Sequence, residues 1–211
     1  MSLPIARPPW SKGGKKCESK LRKALYDFEM LPSSGKVAIA LSGGKDSLSL
    51  LYFLKAISGR GFPPLTLHAF HVYGEFSCGA GLPKGYLEAI CRELGIGITC
   101  LESQQDGKNL ECYSCSRERR SLLFNAAREL GYDTMAFGHH KDDNAQTVLM
   151  NLLHKGEFAG NLPKLTMHHY GITIIRPLIL IGEEEIRTFS EQHGFARITC
   201  QCPVGQVSKR R

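Results

Sequence analysis

Val37-Ala-Ile-Ala-Leu41 runs straight into Ser42-Gly43-Gly44-Lys45-Asp46-Ser47, an apolar run that breaks into a glycine-rich turn. The first part suits a buried strand. After the turn, Leu48, Leu50, Leu51, Leu54 and Ile57 fall at helical spacing. A strand, a turn rich in residues without Cβ atoms and a helix N-terminus make an anion site. The glycines let backbone approach closely, and the free amides of the first helical turn point at the anion. The pattern is not a Walker A loop, because the four-residue gap before Gly-Lys-Ser/Thr is missing. It also lacks the Gly-x-Gly-x-x-Gly of a dinucleotide fold.

Working outward, hydrophobic runs and amphipathic stretches alternate along the 211 residues. Leu65 to Val72 and Ile96 to Leu101 read as strands, with a glycine-rich loop from Gly74 to Gly85 and a helix from Pro83 to Leu94 between them. A polar loop from Ser103 to Leu110 leads to Cys112-Tyr-Ser-Cys115. Directly after it, Arg117 to Leu130 reads as an amphipathic helix with Leu122, Leu123, Ala126, Ala127 and Leu130 on its apolar side. Thr134 to Phe137 is another strand. Gly138-His139-His140-Lys141-Asp142-Asp143-Asn144-Ala145-Gln146-Thr147 is a strand end, a loop and a helix start, with Asp142 as the expected cap. Leu149, Leu152 and Leu153 continue that helix. Thr173 to Ile175 is a short strand, and Glu183 to His193 a last helix closed by Gly194. This alternation predicts an α/β fold with an open parallel sheet and helices on both faces. Ligands of such sheets bind beyond the strands' carboxyl ends. Two histidines and two acids at a strand's carboxyl end, His139, His140, Asp142 and Asp143, are more than a cap needs and are candidate binding residues.

Residues 1–16 read as a mobile basic arm and Cys17 to Met30 as a helix, giving an N-terminal segment over 1–30, a main domain over 31–205 and a basic tail over 206–211. Formal net charge is +7 and the sequence pI is about 9.0. Arg7, Lys12, Lys15, Lys16, Lys20, Arg22 and Lys23 crowd the N-terminus, Arg117, Arg119 and Arg120 form a second group, and Lys209-Arg210-Arg211 ends the chain. This distribution favours a polyanionic partner, nucleic acid first. No apolar run approaches the ~20 residues that cross a bilayer, and Met1 to Trp10 has no secretory core. The expectation is a cytoplasmic protein with no membrane part.

Eight cysteines without a secretion signal do not read as a disulfide framework. Cys91 and Cys100 sit in apolar patterns and read as core residues. Cys78 lies in the glycine-rich loop. Cys112-x-x-Cys115 has the spacing at which two thiolates share a metal, and zinc, a redox pair and an iron–sulfur cluster all use it. Cys200 and Cys202 are the distant partners that would complete a site. Four thiolates would close it structurally, whereas three would leave one position open for chemistry. His68 and His71 stand three apart on a strand and face opposite sides, which favours packing over metal.

Ser42-Gly-Gly-Lys-Asp-Ser47 resembles the pyrophosphate loop of the ATP pyrophosphatases, enzymes of the adenine nucleotide alpha hydrolase-like fold. The wider set resembles the tRNA 2-thiocytidine synthetases: this loop, Cys112-x-x-Cys115 with Arg117, Arg119 and Arg120, Gly138-His-His-Lys-Asp-Asp143, Gln146-Thr147, Asn151, Pro163-Lys164-Leu165, Ile175-Arg176-Pro177-Leu178 and a late cysteine, in that order. The resemblance implies ATP and Mg²⁺ as cofactors, with pyrophosphate held by Ser42, Gly43, Gly44 and Ser47, Mg²⁺ by Asp46, and the nucleotide flanked by Lys45, Val72, Gly138, His139 and Asp143. It implies a [4Fe–4S] cluster on Cys112, Cys115 and a third cysteine. Alignment from the left makes that third ligand Cys200, while relatives with Cys-Pro at this place make it Cys202. It implies adenylation of a cytidine C2 carbonyl of tRNA at position 32, sulfur insertion with Asp46 and the cluster cysteines as catalytic residues, a cysteine desulfurase as donor, and a homodimer. Thiolation of another base such as 2-thiouridine, and a non-catalytic zinc-stapled RNA-binding module, are the alternatives.

Overall fold

The computed structural model describes residues 3–74, 85–103 and 112–195. In chain order they form α1 (Lys12–Asp27), β1 (Lys36–Ala40), α2 (Lys45–Ile57), β2 (Thr66–Tyr73), α3 (Tyr86–Leu94), β3 (Gly97–Glu102), α4 (Cys112–Glu129), β4 (Thr134–Ala136), α5 (Lys141–Lys155), β5 (Lys164–Met167), β6 (Ile172–Ile175) and α6 (Glu183–Gln192), with a 3-10 turn over His168–Tyr170. The strands make one six-stranded sheet in the order β3-β2-β1-β4-β6-β5. All neighbours pair in parallel except β5 and β6, an antiparallel hairpin that the sequence pattern does not reveal. Lys164-Leu-Thr-Met167 alternates polar and apolar residues over only four positions, too few to stand out from the loop before it.

Side-chain alternation on β1 sets the two layers. Val37 and Ile39 pack into one core with α1, α2, α3 and α6. Ala38 faces the other way, into a smaller core of Phe70, Val72, Leu123, Phe124, Ala127 and Met135. Each fully buried Leu or Phe contributes about 1.5–3 kcal/mol. Helices therefore cover both faces. On α4 the buried stripe is Leu123, Phe124 and Ala127, while Leu130 is half exposed. The buried side is centred on Phe124, with Leu122 and Ala126 partly buried at its edge.

The expected mobile arm is instead packed. Tyr52 Oη donates to Pro4 O at 2.7 Å, Ala6 and Trp10 are buried, and the Trp10 ring meets Phe53 and Phe189 edge-on at 5.6 and 5.4 Å. Ser11 Oγ then accepts from Gly14 N–H and starts α1, five residues before the sequence expectation. The lysines conceal an aromatic anchor. The N-terminal positive charge is also largely matched within the fold: Arg7 pairs Glu93, Lys16 and Lys20 pair Glu185, Arg22 pairs Glu18, and Lys23 pairs Asp27.

Candidate functional site

Strand order reverses between β1 and β4. The chain leaves β1 towards β2 and β3, and leaves β4 towards β6. The loops after β1 and β4 therefore part above their shared edge and open a crevice. Gly43, at φ +85, makes the turn after β1, and α2 starts from Gly44 without a side-chain cap. The first-turn amides of α2 have no intrahelical partners and remain available to an anion. Two hydroxyls brace the loop: Ser47 Oγ accepts from Gly43 N–H at 3.1 Å and donates to Gly44 O at 3.0 Å, and Ser42 Oγ accepts from Gly44 N–H at 3.3 Å. Ser42, Gly43, Gly44 and Ser47 thus form one rigid anion cradle.

The loop after β4 lies directly against this cradle. A Cβ on Gly138 would stand 3.0 Å from Ser47 N and Asp46 C. Gly138 thus works by close packing. Beyond it, His139 stacks on Phe137 at 5.7 Å between ring centres. His140 is buried and caps α5: its Nδ1 accepts from Asp143 N–H, and Asp143 Oδ2 accepts from His140 N–H at 2.9 Å. With Nδ1 used as an acceptor, the neutral ring carries its proton on Nε2. That nitrogen faces Asp143 Oδ2 at 3.5 Å and Asp46 Oδ1 at 3.8 Å. His140 thus lies near both acids of the crevice, a proximity its position in a His-His pair does not reveal. Asp142, the expected cap of α5, instead accepts from Glu183 N–H at 2.7 Å and caps α6.

Two carboxylates, Asp46 and Asp143, beside a phosphate cradle suit Mg²⁺, which takes one or two carboxylates and fills its remaining positions with phosphate and water. Lys45 is not simply solvated. Its ammonium lies 3.0 Å from Asp46 Oδ1 and 3.3 Å from Glu183 Oε1. Burial opposes its charge, but Asp46 first and Glu183 next outweigh that and hold the pKa above the ordinary lysine value. Val72 is buried in the smaller core, so only its backbone is free to meet a nucleotide. On the preceding turn of β2, His71 Nδ1 donates to Leu41 O at 2.8 Å, and burial keeps this imidazole neutral.

Cys112 and Cys115 do not precede α4 but occupy its first turn. At i and i+3 they share a helix face. The positive end of the helix and the following arginines favour thiolates there. A soft two-thiolate donor set in an electropositive turn fits an iron–sulfur cluster or zinc. Cys78, Cys200, Cys202 and the side chain of Cys112 lie outside the described residues, and Cys115 is half-buried. Cys17 and Cys91 are buried and belong to the core. Cys100, expected in the core, is exposed because β3 is an edge strand.

A family model described as a PP-loop domain matches residues 14–199. The chain is 32% identical to the tRNA-cytidine(32) 2-sulfurtransferase of Syntrophotalea carbinolica, over 90% of this chain and 75% of that one. Identity to the protein of the same name from Stenotrophomonas maltophilia is also 32%, over 98% and 71%. Among solved structures, the U34-tRNA thiolase NcsA from Methanococcus maripaludis with its [4Fe-4S] cluster superposes with a TM-score of 0.73 at 28% identity, covering 91% of this chain and 68% of that chain. Candida glabrata FMN adenylyltransferase with FMN and an ATP analogue superposes at 0.52 and 16% identity, covering 89% and 60%, a likeness of fold.

Proposed function

Because the chain belongs to the PP-loop domain family, and within it to the tRNA-cytidine(32) 2-sulfurtransferases, we propose that it thiolates cytidine 32 of tRNA at C2 at the expense of ATP. The observation that supports the reading is the crevice between the loops after β1 and β4, in a sheet whose edge strand β3 precedes the cysteine-bearing α4. The turn of Ser42 to Ser47 follows β1, Asp143 lies in the first turn of α5 after β4, and α4 opens with Cys112 and Cys115.

The cytidine C2 carbonyl oxygen attacks the α phosphorus of ATP, an O–P bond forms, and pyrophosphate leaves. The α2 amides face the charge that builds on the leaving pyrophosphate, and their fixed orientation makes them effective there. Asp46 and Asp143 hold Mg²⁺ against the phosphates, which neutralises that charge. Lys45 carries a positive charge to the same edge. Sulfide then adds to C2, and AMP departs with the former carbonyl oxygen. A [4Fe–4S] cluster held by three thiolates supplies an open iron position for that sulfide. Cys112 and Cys115 provide two of the ligands, and Cys200 or Cys202 the third. The target base must leave its stack to reach the crevice, which suits an anticodon-loop position. A cysteine desulfurase as sulfur source, a homodimer and a cytoplasmic location belong to the same proposal, supported by the family resemblance.

The test is anaerobic purification with iron, sulfide and zinc analysis, combined with mass spectrometry of tRNA after incubation with ATP and sulfide. About four irons per chain, lost in Cys112→Ala and in one of Cys200→Ala and Cys202→Ala, is the expected result, with 2-thiocytidine in the RNA. One zinc without sulfide, with both late cysteines required, would replace the cluster by a closed structural site.

A further inference from the structure

What sets one group of arginines apart is burial without a counter-ion. Arg7, Lys16, Lys20, Arg22 and Lys23 all reach carboxylates. Among the described residues, no ion pair involves Arg119, Arg120 or Arg176. Arg176 is 8% exposed. Its Nη1 donates to Leu162 O, and its Nε is enclosed without a hydrogen-bond partner. The Nε of Arg119 is likewise enclosed and unpartnered. A guanidinium is never discharged at ordinary pH, so its burial without a counter-ion is costly. Burial and the nearby Arg120 both work against the charge of Arg176.

We propose that Arg120 and Arg176, flanked by Arg119, clamp a phosphodiester of the RNA substrate beside the nucleotide crevice. This rests on the reading of the chain as a tRNA-modifying enzyme. Position supports it. Arg176 directly follows β6, whose last residue Ile175 accepts from Phe137 N–H at 2.9 Å, so it stands beside the strand end that leads to Gly138 and His140. Arg120 lies on α4 one turn beyond the cysteines, where its Nε donates to Ser116 O and its Nη2 to Ser116 Oγ, both at 3.3 Å. Arg119 adds positive potential on the side of His71, at the end of β2. Arg120 on α4 and Arg176 at the end of β6 thus lie close enough to repel one another.

The anion assigned to them is a phosphate of the RNA rather than the triphosphate. The cradle follows β1, and β6 lies beyond β4 in the sheet. At ~4.8 Å per strand that is a separation of roughly 10 Å. A polynucleotide supplies a phosphate group next to the base that enters the crevice. A planar guanidinium fork suits phosphate oxygens, and two forks fix register as well as charge.

The test measures the affinity of the full-length, anaerobically purified protein for an unmodified tRNA transcript across a salt series, with thermal melting as the check on folding. Arg120→Gln and Arg176→Gln are each expected to weaken binding about five- to tenfold near 0.1 M salt and to reduce the slope of log K against log salt by about 1. Arg176→Lys keeps the charge and loses the fork, so it should weaken binding while retaining the slope. If Arg176→Gln fails to melt cooperatively, Arg120→Gln and Arg176→Lys carry the test. Wild-type affinity and slope in Arg120→Gln would overturn the clamp alone. A wild-type protein that neither binds the transcript nor thiolates it would overturn both the clamp and the proposed function.

Discussion

Gly138 and Ser47 come from opposite sides of the crevice and touch backbone to backbone, with room for no methyl group between them: a Cβ on Gly138 would lie 3.0 Å from Ser47 N. The approach joins the end of β4 to the first turn of α2. Gly138→Ala should push these two elements apart by a few tenths of an ångström. Overpacking of this kind costs about 1–3 kcal/mol. The displaced atoms carry the amides of the anion cradle, so affinity for ATP and pyrophosphate should fall by about tenfold or more. Calorimetric titration with pyrophosphate checks this. Wild-type affinity in a folded Gly138→Ala variant would show that the cradle tolerates the shift.

Glu185 links the N-terminal helix to α6 and should show in the acid limb of stability. It accepts from Lys20 Nζ at 2.6 Å and Gly182 N–H at 3.0 Å, and Lys16 lies 3.2 Å away. Burial alone would raise its pKa, but these donors lower it to about 2 from an ordinary 4.5. A depressed carboxyl pKa favours the folded state above the unfolded value and loses that contribution as pH falls through the folded one. The stabilisation is therefore complete above about pH 4.5 and vanishes towards pH 2. Glu185→Gln should cost about 1–2 kcal/mol at neutral pH. Urea titrations at stepped pH should show wild type and variant converging in acid. A constant gap between them would remove the titration from the explanation.

Thiol chemistry should separate structural from functional cysteines. Burial first, and Glu185 next, push Cys17 to about 11, and burial pushes Cys91 to about 12. At pH 7.5 less than roughly one in a thousand of either is thiolate, and neither is accessible to reagent. Iodoacetamide should leave both unmodified in the native protein and label both in denaturant, as read by peptide mass spectrometry. Native labelling of Cys91 would mean that the α3 layer opens readily.

Much of the frame was legible because its signals are local. The run from Val37 to Ile57 announces strand, turn and helix, and its observed bounds differ by a residue or so. Gly194 follows α6 at φ +68, as its position in the pattern implies. What was not legible depends on distant partners. Trp10 reads as part of a basic tail until Phe53 and Phe189 are seen to enclose it. Asp142 reads as the cap of its own helix until Glu183 N–H arrives from α6. Leu149, Leu152 and Leu153 follow a helical pattern, yet all three face solvent, since α5 has no element packed over that side among the described residues. Nor does the sequence show that Glu183, far along the chain, joins Asp46 beside Lys45.

His140 combines two functions that substitution can pull apart. Its Nδ1 caps α5, and its Nε2 faces Asp46 and Asp143. Alanine removes both and should cost about 1 kcal/mol from the cap alone. Asparagine is among the best N-cap residues, and its short side chain can accept from Asp143 N–H but cannot reach Asp46 across 3.8 Å beyond the ring. His140→Asn should therefore keep more of the stability than His140→Ala. Both should weaken Mg²⁺-dependent ATP binding by about three- to tenfold, because Asp46 and Asp143 lose the ring that stands between them. Melting curves beside ATP titrations with and without Mg²⁺ make the comparison. If His140→Asn binds Mg²⁺-ATP like the wild type, the ring is a helix cap and nothing more. If it binds as weakly as His140→Ala while melting higher, the imidazole positions the acids of the site independently of its structural duty.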